Sequence, residues 1–220
     1  MFDGLKILVV APARGGSKGI PKKNILPVGG VPLIQRVGQM VSELEFVDRA
    51  IVSTDSKEIA DLGRESGLKV PFYRSEELSG DLIGDYEVLI DSLLKMEELD
   101  KCRYDIIIML QPTSPLRKKS EIFDCVQILV DGDYDSVWTV SETDLKYHPA
   151  KQLTRDNSGD LEFYQRSGNE IIARQQLSPL FHRNGVAYVL KRKCLIDQGN
   201  IYGNKCFRYI TKGEKVSIDT

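Results

Sequence analysis

The chain has little of what several function classes require. Two histidines and four cysteines in 220 residues, with no Cys-x-x-Cys pair among Cys102, Cys125, Cys194 and Cys206, give neither a structural zinc site nor a disulfide framework. The thiols read as reduced and structural. No apolar run approaches the length of a membrane span, and Met1-Phe2-Asp3-Gly4 lacks the basic start of a signal peptide. A cytoplasmic setting with no membrane partner is expected. Neither charge sign dominates: 30 Lys and Arg against 32 Asp and Glu leave a formal net charge of -2. This supplies no general attraction to nucleic acid, so any cationic site must be local. Repeats and low-complexity segments are absent as well.

What is present is enough apolar material for a substantial core. At 41% hydrophobic content, a chain of this length fits one main domain with an excursion better than two full domains. Strand-like runs alternate with helical patterns: Ile7 to Val10, a helix from Pro32 to Leu44, Arg49 to Ser53, and a helix from Lys57 to Ser66. That is βαβα order. Val70 to Tyr73 reads as a third short strand, Asp85 to Leu99 as a helix, and Asp105 to Leu110 as a strand covered on both faces. Beyond it, Ser120 to Val130 reads as a helix and Ser136 to Val140 as a strand. Gly185 to Leu190 returns to strand character, followed by a short helix from Lys193 to Gly199 and late strands at Phe207 to Ile210 and Val216 to Ile218. The sheet centre is expected where Ile7 to Val10 lies beside Ile106 to Leu110. Between Ser141 and Phe181 the period fades and polar residues accumulate. Residues 1–140 and 182–220 are therefore expected to form the core, and 141–181 an excursion.

The chemistry concentrates directly after the first strand, in Ala11-Pro12-Ala13-Arg14-Gly15-Gly16-Ser17-Lys18-Gly19-Ile20-Pro21-Lys22-Lys23-Asn24. Gly15, Gly16 and Gly19 can take positive φ or let the backbone approach a ligand, while Arg14, Lys18, Lys22 and Lys23 bring positive charge to oxygens gathered there. A triphosphate is the expected guest; a plain turn with solvated lysines is the alternative. The spacing matches neither the P-loop nor the dinucleotide fingerprint. Open α/β sheets bind ligands at the carboxyl ends of their strands. Two further blocks sit at such ends. Ser53-Thr54-Asp55 follows the second strand and reads as a helix start, with Asp55 as N-cap and Glu58 completing a capping box. Gln111-Pro112-Thr113-Ser114-Pro115-Leu116-Arg117 follows the central strand, and its prolines stiffen an extended lip.

Taken as one string, Ala13-Arg14-Gly15-Gly16-Ser17-Lys18-Gly19-Ile20-Pro21-x-Lys23-Asn24 resembles the signature of the CMP-sialic acid synthetases, or acylneuraminate cytidylyltransferases. Val52-Ser53-Thr54-Asp55, Leu110 to Arg117, Arg174-Gln175-Gln176-Leu177 and Asn184-Gly185-Val186-Ala187-Tyr188 are similar to that family's later blocks, in the same order. The resemblance covers nearly the whole chain. It implies an α/β, Rossmann-like three-layer nucleotide-diphospho-sugar transferase fold, with a mostly parallel sheet and a small dimerisation excursion. The implied activity is transfer of CMP from CTP to the anomeric hydroxyl of an acidic 2-keto-3-deoxy sugar, N-acetylneuraminate or a related nonulosonic acid such as legionaminic or pseudaminic acid, with release of pyrophosphate and with Mg2+ as cofactor. A CMP-Kdo synthetase is the alternative, against which Gly19 stands where that loop has a second arginine. A nucleotide-binding regulatory or scaffold protein with impaired turnover is another.

The same resemblance implies site residues. Arg14 and Lys23 act on the triphosphate, within a nucleotide-binding set of Ala13, Arg14, Gly15, Gly16, Ser17, Lys18, Lys23 and Asn24; Arg74, Gly80 and Asp81 hold the base and ribose. Gln111, Arg174, Gln175, Asn184 and Tyr202 belong to the sugar acceptor. Asp219 is the catalytic metal carboxylate, in Ser217-Ile218-Asp219, where the family has Asp-Ile-Asp; Asp81 and Asp85 are alternative carboxylates. A second departure is His182-Arg183-Asn184-Gly185 in place of Arg-Pro-Asn-Gly, on the acceptor side. His182 itself reads as a polar surface residue, and His148 as structural. A homodimer is implied, with the excursion crossing to the partner.

Overall fold

A computed structural model describes residues 2–218. Its elements, in chain order, are β1 (Ile7–Pro12), β2 (Pro27–Val28), β3 (Val31–Pro32), α1 (Leu33–Ser42), β4 (Arg49–Ser53), α2 (Lys57–Glu65), α3 (Asp85–Asp100), β5 (Ile106–Met109), α4 (Lys119–Asp131), β6 (Ser136–Glu142), β7 (Leu153–Arg155), β8 (Leu161–Phe163), β9 (Phe181–Lys191), α5 (Arg192–Ile196) and β10 (Cys206–Ile210). The main sheet has the order β10-β6-β9-β5-β1-β4. β1 runs parallel to both β4 and β5, and β10 runs parallel to β6. β9 is antiparallel to β5 and to β6 and joins the two parallel halves.

The strand pleat sorts the apolar residues into two cores. Ile7, Val9 and Ala11 of β1, with Ile106 and Ile108 of β5, face one side and pack with Ile34, Val37, Ile59, Ile122 and Val126 from α1, α2 and α4. Leu8 and Val10, with Ile107 and Met109, face the other and meet Leu89, Leu93 and Met96 of α3 and Leu195 of α5. Because alternate residues point to opposite faces, a strand apolar at every position needs a helical layer on each side. The result is three layers with a mostly parallel sheet, and β1 lies beside β5 at the register Ile7 to Ile106.

Three expectations are corrected. Val70 to Tyr73 is not a strand; only Lys69 makes an isolated parallel bridge, to Ile51. Val216 to Ile218 is also irregular, and its one ladder-like bond runs from the Ile218 amide to the Thr113 carbonyl at 2.9 Å. The N-cap of α2 is Ser56, whose Oγ accepts from the Ile59 amide, so Asp55 is left for other work. The segment 141–181 carries the β7–β8 hairpin and short 3-10 turns, with Leu153, Leu161 and Ile172 exposed.

All four cysteines are free thiols, two of them buried. Burial pushes the Cys125 and Cys194 thiols up, the latter to about 12, which suits packing and not nucleophilic chemistry. Among the described residues no helix is long and apolar enough to cross a membrane.

Candidate active site

The carboxyl ends of β4, β1 and β5, together with the start of antiparallel β9, form the rim of a cavity of about 540 Å³. Arg14, Lys18 and Lys23 enter it from the loop after β1, Arg74 from beyond β4, Gln111 from the end of β5, and Arg183 from β9. Parallel topology places these loops together although they are far apart in sequence.

The loop after β1 is held from below. The Gly15 amide donates to Asp55 Oδ1 at 2.7 Å, and buried Asn24 donates from Nδ2 to the Arg14 carbonyl at 3.0 Å. Asp55, read from sequence as a cap, therefore ties the loop to the end of β4. Gly15, Gly16 and Gly19 all lack positive φ; the left-handed residue is Lys22, at φ 56°, anchored to Glu58 by a 2.8 Å ion pair. Close approach explains Gly15 instead, because a Cβ there would lie 3.1 Å from the Ser56 Cβ. The turn at Lys22 precedes the 3-10 helix Lys23–Ile25, from which Lys23 and Asn24 reach the cavity wall.

Charge in this half of the cavity is partly neutralised by the protein itself. Arg14 Nη1 donates to the Gly80 carbonyl at 2.9 Å and pairs with Asp81 at 3.0 Å, and Lys18 also pairs with Asp81. The hydrogen bond from Lys18, and the nearby Arg14 charge, hold the Asp81 carboxyl below the usual range. These pairs are solvated and individually weak, so a polyanion bringing more charge and more acceptor oxygens can displace the carboxylate. Arg74 is fixed, donating from Nε to Ser53 Oγ at 3.0 Å and from Nη2 to the Ser53 carbonyl at 2.5 Å. Burial lowers its pKa while the charge of Asp55 opposes the shift. Asp85, the first residue of α3, is pushed up by burial, against the charges of Arg183 and Arg74.

The other half of the rim is built around the Gln111–Arg117 loop. Buried Arg117 donates from Nε to the Ser114 carbonyl at 3.1 Å and from Nη2 to the Gln111 carbonyl, and Ser114 Oγ donates to the Asn184 carbonyl at 2.7 Å. Gly185 has φ 69°, and a Cβ there would lie 2.5 Å from Ser114 Oγ and 2.6 Å from Gln111 Oε1. Only glycine fits both that backbone and that contact. The C-terminal segment closes this side: buried Lys215 pairs with Glu121 at 2.7 Å and donates to the Leu116 carbonyl at 3.1 Å, which brings Ser217 to the cavity.

Of the residues singled out in the sequence, Arg14, Ser17, Lys18, Lys23, Asn24, Arg74, Asp81, Gln111 and Asn184 line the cavity, and Gly80 reaches it through the bond from Arg14. Ala13, Gly15 and Gly16 support the loop without lining it. The Asn184 amide donates to Ser141 Oγ at 3.0 Å and Thr211 Oγ1 at 2.8 Å, so its donors are spent on the protein. Arg174 and Gln175 sit on the exposed 3-10 turn Arg174–Gln176, away from this chain's cavity, and half-exposed Tyr202 packs edge-on against Trp138. Asp219 lies outside the described residues. His182 pairs with Thr143 Oγ1 at 3.0 Å and His148 accepts from the Ala150 amide, so neither faces the cavity. The sequence reading left Arg183, Tyr188 and Thr113 unassigned, and all three line the cavity. Arg183 had a signal in its departure from the resembled pattern; Tyr188 and Thr113 looked like ordinary strand and loop residues.

No cluster of three metal-ligating side chains occurs among the described residues. Magnesium does not need one, since it takes one or two carboxylates and completes its shell with water and phosphate oxygens. The cavity offers Asp85 and Asp81 as hard oxygen donors, a chemistry that fits that ion.

Comparison with known proteins shows the family and the fold. A profile of the family described as cytidylyltransferase matches residues 8–210. The chain is 35% identical to the CMP-N,N'-diacetyllegionaminic acid synthase of Legionella pneumophila, over 98% of this chain and 92% of that protein. It is 29% identical to the N-acylneuraminate cytidylyltransferase of Streptococcus agalactiae serotype V, over 98% of this chain and 51% of that one. The solved structure of a CMP-2-keto-3-deoxy-manno-octonic acid synthetase complexed with CTP superposes with a TM-score of 0.67 at 18% identity, covering 98% of this chain and 93% of the other. That likeness bears on the fold alone.

Proposed function

The chain belongs to the cytidylyltransferase family, and on that footing we propose that it transfers a cytidylyl group from CTP to the anomeric hydroxyl of an acidic nonulosonic sugar. The observation that carries this reading is the convergence of Arg14, Lys18 and Lys23 on one cavity whose far rim holds Gln111 and Arg183. One end of the cavity suits a triphosphate and the other a second, anionic reactant.

In this reaction the hydroxyl oxygen forms a bond to the α-phosphorus, the bond to the β-phosphate oxygen breaks, and the hydroxyl proton passes to solvent. No covalent intermediate on the protein is required. Arg14 and Lys23 hold the triphosphate and offset charge growing on the leaving pyrophosphate. A unit cation about 4 Å from a unit anion is worth roughly 4 kcal/mol at an effective dielectric of about 20, so contacts that tighten at the transition state lower the barrier appreciably. Arg74, Gly80 and the turn around Asp81 bound the nucleoside end, and Asp81 leaves Arg14 and Lys18 as the phosphates arrive. Gln111 orients the acceptor.

Magnesium, if held here, would supply charge neutralisation to the phosphates. Asp219 would hold it on sequence grounds, with Asp85 as the cavity-lining carboxylate that would join it. Residues 141–181 serve as a dimerisation arm; exposed Leu153, Leu161 and Ile172 support burial against a second copy, to which Arg174, Gln175 and Tyr202 would be presented. Four free thiols fit a reducing, cytoplasmic site of action.

Pyrophosphate release tests this reading. With CTP and magnesium, the protein should release pyrophosphate in the presence of N,N'-diacetyllegionaminate, pseudaminate or N-acetylneuraminate, and chelation by EDTA should abolish the release. CTP binding without release across the panel would instead indicate a scaffold, and release with 2-keto-3-deoxy-manno-octonate alone would indicate the eight-carbon acid as substrate.

A further inference from the structure

The cavity cations divide between two walls. At a strand spacing of about 4.8 Å, the order β9-β5-β1-β4 places the start of β9 roughly 10 Å from the end of β1 and farther still from β4. Arg14, Lys18 and Lys23 serve the β1 wall, and Arg74 is bound to Ser53 at β4. Arg183 alone among the described cavity-lining cations comes from the β9 wall, beside Gln111 and across from the phosphate loop.

Its placement is built. In a strand His182 and Arg183 point to opposite faces; His182 goes to Thr143, and Arg183 goes to the cavity. The Arg183 guanidinium lies 5.7 Å from the centroid of the Trp138 ring. That ring is fixed edge-on by Tyr188 at 4.9 Å and Tyr202 at 5.4 Å, and its Nε1 donates to the Ile201 carbonyl at 3.1 Å. An arginine resting on an aromatic face keeps its N–H edge available for planar, bidentate recognition of a carboxylate.

Resting on the proposed cytidylyl transfer, we propose that Arg183 is the specificity-determining cation that receives the carboxylate of the acid sugar. This cation makes the β9 end of the cavity selective for an acid over its neutral derivative.

Steady-state pyrophosphate release by the full chain tests this, using the acid of the panel above that turns over fastest and its methyl ester. Arg183→Gln should raise KM for the acid by about tenfold or more while KM for CTP stays within about twofold, and the preference for acid over ester should fall to near unity. Arg183→Lys should recover part of that preference, because charge returns without the planar fork. Unchanged KM for the acid in Arg183→Gln, or an equal loss toward acid and ester, overturns the inference while leaving the proposed function standing. Absence of turnover by the unsubstituted chain with every acid overturns both.

Discussion

Arg14→Ala lowers kcat/KM for pyrophosphate release by about 10² to 10³ fold, the range found when one preorganised charge-stabilising donor is removed. The side chain makes two contacts in the ligand-free protein, to the Gly80 carbonyl and to Asp81. In the proposed reaction the triphosphate takes the place of the Asp81 carboxylate at this guanidinium. Arg14→Lys keeps the charge and loses the fork, so it falls between wild type and alanine. Stability should change little, because the ion pair that is lost is solvated. Steady-state kinetics paired with a thermal melt separates these effects: a melt shifted as far as the rate would assign Arg14 a structural role.

Lys215→Met has the largest expected effect on stability. Its ammonium and the Glu121 carboxylate are both nearly inaccessible, with side-chain exposures of 3% and 5%. Removing one partner strands the other, at a cost of about 3 to 5 kcal/mol. Glu121 keeps the Lys118 amide and the nearby charge of Arg117, which places the loss toward the lower end. At roughly 2 to 4 °C per kcal/mol for a domain of this size, the melting temperature falls by about 10 °C. Glu121→Gln on the same background should restore part of it, since no charge is then left buried. Activity should fall more than stability predicts, because Lys215 also fastens the segment that carries Ser217 to the cavity. Equal melting of the single and double variants would show that the stranded Glu121 carboxylate carries no cost.

The parts of the fold legible in the sequence are those governed by local period. β1 and β5 are apolar at every position, and α2 and α3 carry apolar residues at helical spacing, so their identity follows from one strand or helix at a time. The direction of β9 does not, because antiparallel insertion between β5 and β6 depends on how a long connection returns to the sheet. Val70 to Tyr73 and Val216 to Ile218 have strand-like residues but find no full partner strand, and composition cannot show that. In the site, the loop from Ala13 to Asn24 was legible because glycines and cations cluster in one stretch. Asp55 was misread since a carboxylate before a helix usually caps it, whereas here Ser56 caps and Asp55 reaches Gly15, forty residues earlier. Arg183 was visible only as a departure; its significance comes from which face of β9 it occupies.

In the proposed reaction the cavity after β1 is a CTP site that uses the cations of that loop. Titration calorimetry of the full chain with CTP and with UTP, in magnesium, measures this without requiring the correct acceptor sugar. It should give one CTP site per chain, weaker binding of UTP, and a loss of CTP affinity of about tenfold or more, or ~1.4 kcal/mol, in Arg14→Ala. No heat with CTP, or equal CTP affinity in the wild type and Arg14→Ala, would contradict it.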